Sequence, residues 1–544
     1  MPGDPDSSSK PSSVACLSCR SRHVKCDAVM PTCTRCRTNA TECQYIRSRR
    51  GLRNRSKDSL SQPLEEDVFS MGLDPLPDWL SAAFPSDLSI DASKTFLQAH
   101  DSPDTHEFSL LDDALALSET DLVTPEVAYD PMIQLYYENF HPSHPFMIPR
   151  KTLGTSLCYL IPSPLVSVMR YIGAHYYPNP SLKQEFRQAA FNALSDPSIG
   201  DGSRVQALLL LAIVDHSHCH EQNAHRLIQT AVSLALEIGL NRQCFATQHS
   251  YDHSVLEESW RRTYWELYVV EGLLAAMREQ SSFRLYHQPV NVQLPCGEKM
   301  YNCDNVVPSG QNLQDLKNNW TLGQEFSTFA YRISAVQKLG AVLELNRSLD
   351  LESSLESHIE TIDAHLVSSL MVLPPLYGEG YDSSRHDEMV FQAQMILYLA
   401  LIYLHHPRSS MRFASFHANP PTTCTRLQLP EKPTAEPHSE LNPSQALNLH
   451  SHKLLRAADH LSALATLPSA IHRRTPFFTC ALAMCIIVHT AGLLVVVDAD
   501  EKKEAIKARI QLSIGGLRVL GRTWPLPKAV KVQMLDMYQA VVGK

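Results

Sequence analysis

Six cysteines crowded into residues 16–43 constrain this chain more than any other feature. Cys16, Cys19, Cys26, Cys33, Cys36 and Cys43 read Cys-x2-Cys-x6-Cys-x6-Cys-x2-Cys-x6-Cys. One Cys-x2-Cys is common. Two of them, each followed by a third cysteine six residues on, form an internal repeat that chance rarely produces. A stretch this short cannot bury a hydrophobic core, so something other than apolar packing must order it. Structural zinc takes four ligands in a tetrahedron and favours thiolate. One zinc would leave two cysteines idle. Two zinc ions need eight coordination positions from six sulfurs, so two thiolates must bridge. No histidine stands at a finger-type spacing that completes either set, and His23 sits in a helix-forming run where it is expected to face outward. A three-disulfide knot would need an oxidising compartment. An iron–sulfur cluster would leave the twofold repeat unexplained.

The charge pattern says what such a module could meet. Residues 1–57 carry 12 Lys/Arg against 4 Asp/Glu, although the whole chain of 544 residues has a net charge of −9. A basic end on an acidic protein points to an anionic partner for that end alone, and nucleic acid is the leading candidate. A membrane surface fits less well, because neither an amphipathic helix nor a lipidation motif accompanies the charge. Zinc thiolate clusters are anionic, so Arg20, Arg22, Lys25, Arg35 and Arg37 and the arginines after the module are needed to attract phosphate. Residues 1–13 are polar and lack the apolar region of a secretory signal. The remaining eight cysteines are therefore expected in a reducing compartment, most of them as buried thiols.

Composition divides the chain into five parts. Residues 1–15 read as a disordered tail, 16–43 as the cysteine module, and 44–57 as a basic connector that includes Arg47, Arg49 and Arg50. Residues 58–130 hold 17 acidic residues, one lysine and six prolines, which disfavours helix, coiled coil and core alike. Apolar residues recur among these acids, including Phe69, Trp79, Leu80 and Phe84. That composition fits an activation segment that engages coactivators, and equally a solvated linker. Residues 131–544 are predicted to be all-α, with 406–443 a surface loop or insert. Three-and-four apolar spacing marks helices over 224–238, stopped by Gly239, and over 256–277. Further helices are expected near 324–345, 388–405, 448–466, 476–497 and 503–520. Residues 476–497 lack Asp, Glu, Lys and Arg, and a buried core helix is preferred to a membrane span there.

Several clusters invite a catalytic or metal reading and are better explained otherwise. His216, His218, Cys219 and His220 share one turn, but neighbours on a helix diverge instead of converging on one ion. His405-His406-Pro407 reads as a helix end. Glu257, Arg261 and Arg262 could pass for an active site. No Walker loop, dinucleotide fingerprint or Gly-x-Ser-x-Gly element is present, so an enzyme is not expected.

The cysteine array, the run Cys26-Asp27 and the loop residue Pro31 resemble the fungal Zn2Cys6 binuclear-cluster family. Leu135-Tyr136-Tyr137-Glu138-Asn139-Phe140-His141-Pro142, the run Leu236-Glu237-Ile238-Gly239-Leu240, and Glu257 through Trp265 resemble the helical regulatory domain attached to such modules. Trp260 stands where arginine is commoner, and Glu271 where aspartate is usual. The resemblance covers the module and most of residues 131–410. It implies two zinc ions bridged by Cys16 and Cys33, and a structural helix instead of an active site at Glu257, Arg261 and Arg262. It also implies a helix carrying Arg22, His23 and Lys25 into the major groove at CGG triplets, with His23 replacing the usual lysine. Arg20 and the connector arginines Arg47, Arg49 and Arg50 join them as candidate DNA contacts, and the connector suits nuclear import as well.

The reading that follows is a nuclear, zinc-dependent regulator of RNA polymerase II genes on double-stranded DNA. It is pathway-specific, with a secondary-metabolite gene cluster favoured on family grounds and nutrient catabolism as the alternative. A homodimer, if formed, would use the helical domain. Two other classes remain open: a helical ligand-binding or enzymatic domain with a DNA-targeting module, and an RNA-binding zinc protein.

Overall fold

The computed structural model describes parts of residues 18–43 and residues 126–542. Within the latter it leaves out 180, 198, 303–309, 319–325, 348–354, 377–386, 412–446, 468–469 and 496–499. The tail 1–15, the connector 44–57, nearly all of the acidic segment 58–130 and most of the insert 406–443 lie outside the described residues. The chain separates into two units, Met1–Leu76 and Pro77–Lys544.

The second unit is helical throughout, with no strand among the described residues. Local chemistry starts its helices. Asp130 accepts from the Met132 and Ile133 amides, with Pro131 in the first turn of Pro131–Asn139. Asp387 caps Glu388–His405 in the same way. Glu221–Glu237 buries Ala224, Leu227, Ile228, Ala231, Val232 and Ala235, the expected stripe. It stops at Gly239, whose φ of +76° only glycine adopts without strain. The Leu240 amide bonds Ala235 O at 2.8 Å and the Gly239 amide bonds Leu236 O, a Schellman closure.

Neighbouring helices stack around one continuous apolar core. Thr328–Arg347 packs on Glu388–His405, Asp201–Ser217 on Glu221–Glu237, and Phe478–Val495 on Asp500–Leu520. Glu388–Arg408 and Phe478–Val495 are long and apolar enough to cross a membrane by length and composition, yet 83% of each apolar window is buried within the protein. The preference for a core helix over 476–497 is thus supported by its packing. Glu388–His405 ends at the His405-His406-Pro407 break, as expected.

One expectation needs correction and another is met in part. Ser254–Met277 was anticipated as a helix with one apolar stripe. It is instead buried on nearly every side, with Glu258, Arg261, Arg262, Glu266 and Glu271 all in the interior. Of the scattered cysteines expected to be mostly buried thiols, four of the six described are buried, Cys158, Cys296, Cys480 and Cys485. Cys158, Cys296 and Cys485 are buried and free, and burial pushes Cys296 up to about 12. Cys219 and Cys244 are exposed. Cys219 lies past a helix end at φ +64°, a turn that directs it away from the core. Cys480 is buried and disulfide-bonded, so it is not a free thiol.

Candidate metal centre and nucleic-acid interface

In the N-terminal module the described cysteines assemble as two triads. Cys19, Cys26 and Cys33 hold their sulfurs within 4.8 Å of one another, and so do Cys33, Cys36 and Cys43. Cys33 belongs to both and is fully buried. Its sulfur lies 3.8 Å from that of Cys19. A tetrahedron with zinc–sulfur bonds of about 2.3 Å has an edge of about 3.8 Å. The donor set therefore fits zinc in type and spacing.

The internal repeat of the sequence reappears in the backbone. The Val24 amide bonds Cys19 O and the Thr41 amide bonds Cys36 O, both at 3.0 Å and both spanning five residues. Cys33 also begins the short helix Thr34–Thr38, accepting from the Cys36 amide at 3.3 Å. The Cys33 amide points at the Cys43 sulfur, again at 3.3 Å. N–H groups aimed at sulfur favour the thiolate form that zinc requires. Asp27 ties the two halves together, since the Thr34 amide donates to both its carboxylate oxygens at 3.1 Å. Hydrogen bonding from Thr34 holds this exposed carboxyl below its ordinary value. The sequence drew attention to Asp27 only as part of a resemblance; its partner was not anticipated.

The electrostatics face outward. Lys25, Arg35 and Arg37 are exposed around the buried sulfurs. Cys16, Arg20, Arg22, His23, Arg47, Arg49 and Arg50, the other expected ligand and DNA-contact positions, lie outside the described residues.

The competing clusters resolve into structural roles. His216 stacks on Phe477 and points at Cys480 Sγ, 3.7 Å away. His218 meets His175, and His220 meets Asp215. The cluster spans the turn between Asp201–Ser217 and Glu221–Glu237, not one helical turn; His218 and His220 stack with ring centroids 6.0 Å apart but bond to different partners. In Ser254–Met277, Glu258 accepts from Arg261 Nε and Arg262 Nε at 2.9 Å and from the Cys296 amide at 2.8 Å. Arg262 also reaches Glu298 at 2.7 Å and lies 3.8 Å over the Tyr301 ring. Glu266 accepts two bonds of 2.7 Å from Arg332 and one of 2.7 Å from His144. These charges clamp distant segments onto the central helix.

Comparison with known proteins follows the same two parts. Residues 14–52 match the fungal Zn(2)-Cys(6) binuclear cluster domain, and residues 133–388 match the fungal specific transcription factor domain. The C6 finger domain transcription factor iacK of Pestalotiopsis fici is 28% identical over 570 aligned positions, which cover 99% of this chain and 82% of that protein. No solved structure matches. With the cysteine triads, the helical unit and both family domains in order along one chain, this protein belongs to the fungal Zn2Cys6 transcription factors, zinc-binding and DNA-binding regulators whose cluster takes two zinc ions through six cysteines.

Proposed function

We propose that this chain is a nuclear, pathway-specific regulator of RNA polymerase II genes that binds CGG-type triplets through residues 16–43. The observation that carries the reading is the sharing of Cys33 between two thiolate triads. Each triad lacks one ligand for a tetrahedron, and Cys16 is the remaining cysteine of the array. Cys16 and Cys33 then bridge the two metals, and all six cysteines are ligands. Zinc supplies the folding free energy of the module; its own residues do the recognition. Arg20, Arg22, His23 and Lys25 contact bases and nearby phosphates, and Arg47, Arg49 and Arg50 follow the backbone beyond the triplet. The acidic-hydrophobic segment 58–130 recruits coactivators. A homodimer, if the full chain forms one, uses the helical domain, because no heptad pattern survives the prolines of 58–130 to support a coiled coil.

The relative's printed name supports a regulator, and its alignment along almost the whole chain supports a shared domain plan. A biosynthetic gene cluster is the favoured target. The helical unit is read as non-catalytic because its buried charges are engaged in packing contacts. Chromatin occupancy and transcript profiles in the source cells, with and without the gene, test the reading. Occupied sites enriched in CGG triplets beside one co-regulated set of neighbouring genes are expected. Occupancy without triplet enrichment, or transcripts unchanged on deletion, would count against it.

A further inference from the structure

The helical unit contains a cavity of about 460 Å³ between the segments 147–165, 200–206 and 238–260, within the size range of small-molecule sites. Its walls are apolar and aromatic, with Met147, Ile161, Leu165, Phe245, Leu256 and Trp260 among them. Trp260 is fixed by its indole N–H, which donates to His249 O at 2.9 Å. Phe245 meets it edge-on, with ring centroids 5.8 Å apart. Gly202 makes room for this pair, since a Cβ there would lie 3.0 Å from the Trp260 ring. At the mouth Tyr251 is 68% exposed on a left-handed backbone, φ +47°, and Leu160 is 40% exposed. An aromatic side chain held outward in a strained conformation beside a cavity is characteristic of ligand sites.

The polar groups define the chemistry of an occupant. Gln206 is buried and lines the cavity. Its amide nitrogen donates to Thr263 Oγ1 at 2.9 Å, while its oxygen accepts no hydrogen bond among the described residues. Ser259 donates its hydroxyl to Phe146 O at 2.7 Å, and its oxygen faces the same Gln206 nitrogen at 3.5 Å. The Gln206 oxygen is therefore the buried acceptor that calls for a donor, in a lining whose other polar side chains include Ser203, His249 and Tyr251. Asp201 is the one carboxylate in the lining, and no lysine or arginine of the described residues lines it.

We infer that this cavity binds a flat, uncharged aromatic molecule carrying a hydroxyl or N–H donor, such as a phenol or an indole, that stacks against Trp260 and donates to Gln206. An aromatic carboxylate is disfavoured, since Asp201 lines the cavity and no lysine or arginine of the described residues does.

Fluorescence anisotropy of three naphthalenes with the zinc-loaded full chain tests this. 2-Naphthol has the ring and the donor, 2-methoxynaphthalene the ring alone, and 2-naphthoate a charge. Saturable binding of 2-naphthol is expected, about 10-fold tighter than 2-methoxynaphthalene for one hydrogen bond to a buried acceptor, with no saturable binding of 2-naphthoate. Gln206→Leu should erase the preference for the hydroxyl. Ile161→Trp, at a half-buried wall position, should fill the chamber and abolish binding while circular dichroism stays native. The inference is overturned if 2-naphthol does not saturate, if naphthol and methoxynaphthalene bind wild type equally, or if a natively folded Ile161→Trp binds as wild type does.

Discussion

Glu266→Gln is the sharpest test of how the helical unit is held together. Glu266 and Arg332 are both fully buried, and Arg332 places two nitrogens 2.7 Å from the two carboxylate oxygens. His144 donates to the same carboxylate from the segment that precedes the first long helices. Burial alone would raise the Glu266 carboxyl, but the Arg332 charge and the hydrogen bonds from His144 and Arg332 outweigh it and carry the group down to about 2. Glutamine keeps the shape and removes the charge, so Arg332 is left buried without a counter-ion. Breaking a buried pair in this way costs about 3–5 kcal/mol. The titration gives a similar scale: a displacement from 4.5 to about 2 corresponds to about 3 kcal/mol. The sign follows from the lowered pKa. The carboxylate's contribution is full above pH 4.5 and is lost as pH falls towards 2. Urea unfolding followed by helical circular dichroism should therefore show wild type more stable than Glu266→Gln by about 3 kcal/mol at pH 7, with the gap closing towards pH 3. A gap below about 1 kcal/mol at pH 7, the scale of an exposed pair, or a gap unchanged down to pH 3, would refute the reasoning.

Further outcomes follow from the N-terminal residues. Cys33→Ser should lower zinc content at both sites, whereas Cys36→Ser should disturb mainly one, because among the described residues Cys33 belongs to both triads and Cys36 to one; native mass spectrometry of the module counts the ions, and equal losses would remove Cys33 as a bridge. Residues 58–130 fused to an unrelated DNA-binding domain should activate a reporter, and alanine at Phe69, Trp79, Leu80 and Phe84 should reduce its output severalfold; unchanged output would make the segment a linker. His23 in wild type should tighten binding to a CGG duplex as pH falls from about 7.5 to 6.5, since imidazole gains a proton near its reference pKa of about 6.5 and phosphates favour the charged form. His23→Gln should lose that dependence, and an identical pH profile in both proteins would remove His23 as a titrating contact.

What was legible in the sequence depended on whether the signal was local. Sulfur spacing is one-dimensional, so the twofold repeat and the need for two bridging thiolates could be anticipated, whereas the choice of Cys33 as a bridge came from the family resemblance. Gly239 was readable as a helix stop because a left-handed terminus has a local residue preference. Buried helices were harder. Asp201–Ser217 buries every residue from Val205 to Ser217, so no amphipathic rhythm marks it. Charge misled for a related reason. Periodicity treats Glu258, Arg262 and Glu266 as solvent-facing, yet each finds partners far along the chain: Glu266 meets His144 and Arg332, 122 and 66 residues away. Gln206 gave no signal either, because a lone glutamine becomes informative only when the walls around it are known. The exposed Cys219 and Cys244 show the converse: composition assigns cysteine to the core, but a turn or a short surface helix decides otherwise.

The central claim is that zinc orders the cysteine module into a sequence-specific DNA reader. Zinc titrated into the metal-free full chain, with anisotropy of a labelled CGG duplex read at each step, tests it most directly. Binding should be absent without metal, rise to completion at two zinc ions per chain, be reversed by chelation, and fail on a duplex with the triplet scrambled. Equal binding with and without zinc, or equal affinity for the scrambled duplex at fixed salt, would contradict the account.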